Sequence, residues 1–112
     1  MIDEATLSAI CGPDCPVARA NAILGGKWTT LVLRDLMSGT RRYSELQRSL
    51  TGISPRMLAD RLALLEAEGL IHKTIYPVVP PKTEYALTPR GREVIPVIEA
   101  MATFGRALQR TD

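Results

Sequence analysis

Apolar residues recur at helical spacing along most of this chain, and the period switches once, near residue 70. Residues 1–10 read as an arm or short helix, broken by Gly12, Pro13 and Asp14. Pro16 suits a first helical turn, where its missing N–H needs no replacement. A helix to about residue 24 is expected, with Val17, Ala20, Ile23 and Leu24 on one face and Gly25-Gly26 as its stop. Over 27–37, Trp28, Leu31, Val32, Asp35 and Leu36 repeat at helical spacing. Leu33 and Met37 widen that stripe beyond what a surface helix carries, so this is the expected core helix. Trp28 lies on the stripe and reads as a packing residue.

Ser44 stands three residues before Gln47, the spacing of a capping box. It predicts a short helix to about residue 50, with Leu46 and Leu50 inward. Thr51-Gly52-Ile53 is a tight turn. Ser54 then serves as N-cap and Pro55 as the first residue of a helix that ends at Gly69. Leu58, Leu62 and Leu65 fall at i, i+4 and i+7 and define its inward face. From 70 to 79, Ile71, Ile75, Tyr76, Val78 and Val79 read as a strand. Pro80-Pro81 breaks it, and 83–87 reads as the returning strand. Thr88-Pro89 caps a last helix over 90–109, with Pro96 expected to kink it. Two helices joined by a short Gly-containing turn, then a β-hairpin, predict a mainly α (α+β) winged helix-turn-helix with a two-stranded β-wing. The expected segments of this single domain are an N-terminal arm and helix at 1–24, the helix-turn-helix at 44–69, the wing at 70–88 and a C-terminal helix at 89–112.

Composition narrows the class. A chain of 112 residues and 12.3 kDa fits one domain. A compact monomer of that mass exposes roughly 6,100 Å². No apolar run reaches the roughly 20 residues of a membrane span. Met1 to Ile10 carry Asp3 and Glu4 and no basic residue, so a secretory signal is not expected and the cytosol is. Two cysteines are too few for a disulfide scaffold. A lone histidine, no phosphate loop and no paired carboxylates argue against an enzyme. Gly25-Gly26 lacks the longer frame of a phosphate loop, and Glu66 and Glu68 read as solvated. Cys11, Cys15 and His72 match no common zinc spacing, so neither metal nor cofactor is expected.

The net charge of +2 hides an uneven distribution, and eleven of the fourteen basic residues are Arg. Positions 1–20 carry a net −2, positions 34–61 a net +3, and positions 72–92 a net +3. The basic segments fall on the helix-turn-helix and on the wing. In such a motif the start of the second helix enters the major groove of duplex DNA and the first helix crosses the backbone. Rotation about the second helix turns Arg56, Met57, Asp60 and Arg61 outward, with Ser54 and Pro55 at the tip. Arg is suited to bidentate contacts with guanine edges and phosphates. Asp60 can pair with an arginine or accept from a cytosine amine. Ser44 and Gln47 open the supporting helix, Arg41 and Arg42 flank it, and Lys82 lies near the wing tip.

Several blocks carry a closer likeness. They are Cys15-Pro16-Val17, Gly25-Gly26-Lys27-Trp28-Thr29, Arg42-Tyr43-Ser44-Glu45-Leu46, Gly52-Ile53-Ser54-Pro55-Arg56-Met57-Leu58, Leu65-Glu66-Ala67-Glu68-Gly69-Leu70, Tyr76-Pro77, Val79-Pro80-Pro81, Glu84-Tyr85, and Thr88 followed by Gly91. In this order, over roughly 11–108, the chain resembles the HxlR family of winged-helix transcriptional regulators, related to the MarR group. The resemblance implies a homodimer on a pseudo-palindromic operator, joined through the N-terminal segment and the last helix. Val94, Ile98, Met101, Phe104 and Leu108 form the apolar stripe consistent with that interface. Repression is the expected mode.

Some members of the family sense oxidants or electrophiles through the Cys of the Cys-Pro pair. Cys15 occupies that place, before a helix N-terminus that favours thiolate, with Cys11 as a secondary candidate. The other reading of Cys15 is a small buried residue near the dimer interface. Two rivals to this whole function stand beside it: a winged-helix interaction module that does not touch DNA, and a regulator controlled by a small-molecule effector.

Overall fold

The computed structural model describes residues 2–10 and 14–110, and of residues 8–10 the backbone alone. The order is α1 (Glu4–Ile10), α2 (Pro16–Leu24), α3 (Thr29–Leu36), β1 (Arg41–Arg42), α4 (Tyr43–Ser49), α5 (Pro55–Ala67), β2 (Ile71–Tyr76), β3 (Lys82–Leu87), a 3₁₀ turn (Gly91–Val94) and α6 (Ile95–Gln109). The wide apolar stripe of α3 makes it the centre of the core. Its Val32, Leu33 and Leu36 meet Leu46 and Leu50 of the α4 region and Leu58, Leu62 and Leu65 of α5. Ile71, Tyr85 and Leu87 of the sheet, with Val94 and Ile98, complete the cluster. Trp28 packs half-buried against it.

The helix-turn-helix forms from local signals. Ser54 Oγ accepts the Met57 N–H at 3.0 Å, and Pro55 opens α5. Between the helices, Gly52 has φ +93°, a left-handed conformation that a side chain disfavours. The Ile53 N–H closes the turn on the Leu50 carbonyl at 3.0 Å. Thr88 ties three elements together. Its hydroxyl donates to the Gly69 carbonyl at 2.6 Å and accepts from the Gly91 N–H at 2.9 Å. Gly91 passes so close to residue 70 that a Cβ there would overlap the Leu70 carbonyl.

Four expectations change. The wing is not an isolated two-stranded ribbon, because β1 adds to its edge and the sheet order is β1-β3-β2. All pairs are antiparallel, with Arg41 opposite Tyr85 and Arg42 opposite Glu84. Two residues have no period to read, which hid β1 in the sequence. Helix α4 starts at Tyr43, so Ser44 lies inside it and is not the cap. Arg42, extended at the end of β1, occupies the cap position, and its N–H donates to Glu45 Oε1 at 2.8 Å. Pro96 lies in the first turn of α6, after the 3₁₀ turn, where it removes no helical hydrogen bond and gives no kink. Finally, Val17 and Ala20 of α2 are exposed; only Ile23 and Leu24 are half-buried.

The outline is extended, 58 × 38 × 23 Å, with a radius of gyration of 16.5 Å. A compact chain of this length has a radius of gyration of about 13 Å. The accessible surface is 7905 Å², well above the roughly 6,100 Å² of a compact monomer. No helix among the described residues is long and apolar enough to cross a membrane.

Candidate nucleic-acid interface

Burial of Leu58, Leu62 and Leu65 fixes the rotation of α5. The opposite side of its first three turns exposes Arg56, Asp60 and Ala63, with Ala59 exposed on the flank toward the sheet. Met57 and Arg61 do not join them. One turn apart, they fall at the edge of the buried stripe rather than across from it. Met57 is half-buried against the core. The Arg61 guanidinium turns back toward the α2–α3 junction, with Nη2 3.6 Å from where a Cβ on Gly26 would stand. Arg61 Nε is buried without a hydrogen-bond partner. Ser54 and Pro55 are exposed at the tip of the helix, as expected.

The other predicted cations divide. Arg41 is bound to its own turn, donating to the Thr40 carbonyl at 3.0 Å and to Ser38 Oγ at 2.7 Å. Arg42 and Ser44 are exposed, and Gln47 is half-buried. Arg42, Tyr43 and Ser44 face Pro81, Lys82 and Thr83 across a recess of about 260 Å³. Folding thus brings the start of the supporting helix beside the tip-side end of strand β3. Tyr43, absent from the predicted set, donates its hydroxyl to the Pro55 carbonyl at 3.2 Å. It holds the start of α5 against α4.

Lys82 is already engaged. Its Nζ lies 3.2 Å from Glu84 Oε2 and 5.0 Å from the centroid of the Tyr76 ring. The Tyr76 hydroxyl donates to Glu84 Oε1 at 3.0 Å. That hydrogen bond, with the charge of Lys82, holds the Glu84 carboxyl below its ordinary range, and the Tyr76 phenol is pushed up in turn. Beyond this cluster the tip is apolar, with Val78 and Val79 exposed.

The proposed dimer stripe separates into two. Val94 and Ile98 are each 8% exposed and belong to the chain's own core: Ile98 on the edge of α6 that lies against α3, and Val94 in the 3₁₀ turn beside Ile23, Leu24 and Leu70. The outer stripe is Val97, Met101, Phe104 and Leu108, at i, i+4, i+7 and i+11, with Phe104 66% exposed. Val97 is the residue that periodicity alone did not separate from Ile98. Cys15 is half-buried at the N-cap of α2. Cys11 lies outside the described residues. His72 is exposed on β2, and no three potential metal ligands converge among the described residues.

The family model for HxlR-like helix-turn-helix proteins matches residues 23–112. A Synechocystis sp. protein described as an HTH-type transcriptional regulator is 45% identical over 94 residues, covering 84% of this chain and 70% of that one. Among solved structures, a MarR-family regulator from Porphyromonas gingivalis W83 superposes with a TM-score of 0.80 at 42% identity, over 95% of each chain. The redox regulator HypR in its oxidised form gives 0.79 at 37% identity, over 88% of this chain and 99% of that one. A winged helix with an exposed, charged second helix, matched over this length, makes the chain a member of the HxlR-like helix-turn-helix family of transcriptional regulators.

Proposed function

We propose that the chain acts as a homodimeric repressor that binds a pseudo-palindromic operator in duplex DNA. The start of α5 reads each half-site. The observation that carries this is the exposed pair Arg56 and Asp60 on the side of α5 opposite its buried leucines. Both are suited to base edges in the major groove. Beside them, Arg42, Ser44 and Lys82 meet at one recess and offer the phosphate backbone a cationic border. The exposed charged pair Arg56 and Asp60 favours DNA over an interaction module, although Arg61, the second arginine expected there, turns away. Repression follows from occupancy, since a protein seated on an operator excludes others from the same DNA.

Two observations support the dimer. The monomer exposes more surface than its mass requires, and the outer stripe of α6 holds Val97, Met101 and Phe104 in contact with water. Two copies joined there would present two α5 helices, as half-sites one DNA turn apart require. Phe104→Asp is expected to convert the dimer to monomer in sedimentation and to weaken operator binding at least tenfold. An unchanged sedimentation coefficient would remove α6 from the interface.

Regulation through Cys15 is the finer reading. It rests on the position of the thiol at the start of α2 and on the likeness to HypR, a redox regulator. Cys15→Ser is expected to bind the operator as tightly as wild type and to stay bound when oxidant or electrophile is added. If the variant is released like wild type, the signal enters elsewhere, and a small-molecule effector becomes the better account.

A further inference from the structure

The assignment of α5 as the reading helix leaves part of its presented surface without a stated role. Five residues are exposed over its first three turns: Pro55, Arg56, Ala59, Asp60 and Ala63. Two of them are alanines, one turn apart. They carry only a methyl group, and neither has any function in the core, which Leu58, Leu62 and Leu65 supply. Ala59 and Ala63 also wall a recess of about 320 Å³ between α5 and the sheet, shared with Tyr43, Lys73 and Thr83. A longer side chain at either position would fill that space.

An alanine methyl has one favourable partner in the major groove. Base edges there display nitrogen and oxygen donors and acceptors, plus a single apolar group, the C5-methyl of thymine. Placing a methyl over any of the polar groups removes its water and returns no hydrogen bond, which is unfavourable. Placing it over the thymine methyl buries apolar surface on both sides. We infer that Ala59 and Ala63 are specificity-determining residues that select thymine in each half-site by methyl–methyl contact. The polar pair Arg56 and Asp60 reads neighbouring bases. This rests on α5 being the reading helix.

Deoxyuridine is the probe, because it differs from thymidine only by the missing methyl and pairs identically. Operators are first selected from random duplexes with the wild-type chain. Each thymine is then replaced singly by deoxyuridine, and affinity is measured for wild type, Ala59→Ser and Ala63→Ser. Arg56→Ala is measured on the unmodified operator. Burial of one methyl group is worth ~0.8 kcal/mol, or about fourfold in affinity. Wild type is therefore expected to lose about fourfold at one or two positions per half-site. Each serine variant, with its hydroxyl in place of a methyl hydrogen, should lose that sensitivity at its own position.

If no deoxyuridine matters while Arg56→Ala still weakens binding, α5 reads DNA and the thymine inference is overturned. If selected half-sites contain no thymine, it is overturned as well. If Arg56→Ala and both serine variants leave affinity and deoxyuridine sensitivity unchanged, α5 is not the reader, and both readings fall together.

Discussion

Leu58→Ala is expected to lower the free energy of unfolding by about 3 kcal/mol. Leu58 is 0% exposed and lies where α5 meets α3 and α4. Truncation removes buried apolar atoms and leaves a cavity that close-packed neighbours fill only in part. Leu33 and Leu36 of α3 and Leu46 of α4, all in the same cluster, are fixed on their two helices and cannot converge freely on the gap. Against a total stability of roughly 5–15 kcal/mol for a domain, that is a large fraction. Urea denaturation followed by circular dichroism measures it. A loss below about 1 kcal/mol would mean that the core relaxes around this site and that α5 is not anchored by it. Because Leu58 and Arg56 share α5, the variant should also bind operator less tightly in proportion to the unfolded fraction.

Arg56→Ala is expected to do the reverse. The side chain is exposed and makes no hydrogen bond or ion pair among the described residues, so the fold has nothing to lose. Thermal stability should move by no more than about 0.5 kcal/mol. Operator affinity should fall by about 1–3 kcal/mol, the discrimination that a bidentate base contact supplies. Competition between duplexes then separates the two contacts an arginine can make. Loss confined to the selected sequence marks a base contact. Equal loss on all sequences marks a phosphate contact and moves the reading role to Asp60 and the alanines. Binding unchanged on every duplex would take Arg56 out of the interface.

What the sequence made legible was chemistry that acts within one turn. Ser54 as cap, Pro55 as first residue and the three leucines of α5 all depend on neighbours three or four residues away, and all stand as expected. Thr88, expected to cap a last helix from residue 90, closes the 3₁₀ turn at Gly91–Val94 instead, and α6 begins at Ile95. What it hid depends on contacts between distant segments. The two residues of β1 become a strand only because Tyr85 and Glu84 lie opposite. Arg61 stands at the edge of the buried stripe, and only the α2–α3 junction beside it shows that its guanidinium turns toward Gly26 rather than outward. Ile98 looks like an interface residue until α3 covers it, and Val94 until Ile23, Leu24 and Leu70 come beside it. Lys82 looks like a spare cation until Tyr76 meets it from the neighbouring strand and Glu84 from its own. Helical periodicity separates apolar from polar faces. It does not say which apolar face meets the chain's own core and which is left for a partner.

The most direct measurement is affinity for duplex DNA across a salt series. Each phosphate neutralised by Arg or Lys releases bound counterions, so log affinity falls linearly with log salt concentration, by about 0.9 per phosphate on duplex DNA. A dimer that applies Arg42 beside each α5, with Lys82 paired to Glu84, should show a slope of about −2 or steeper on its selected operator. It should also show weaker binding to unrelated duplexes with a similar slope. No retention of duplex DNA at low salt, or an affinity indifferent to salt, would contradict DNA binding through this face.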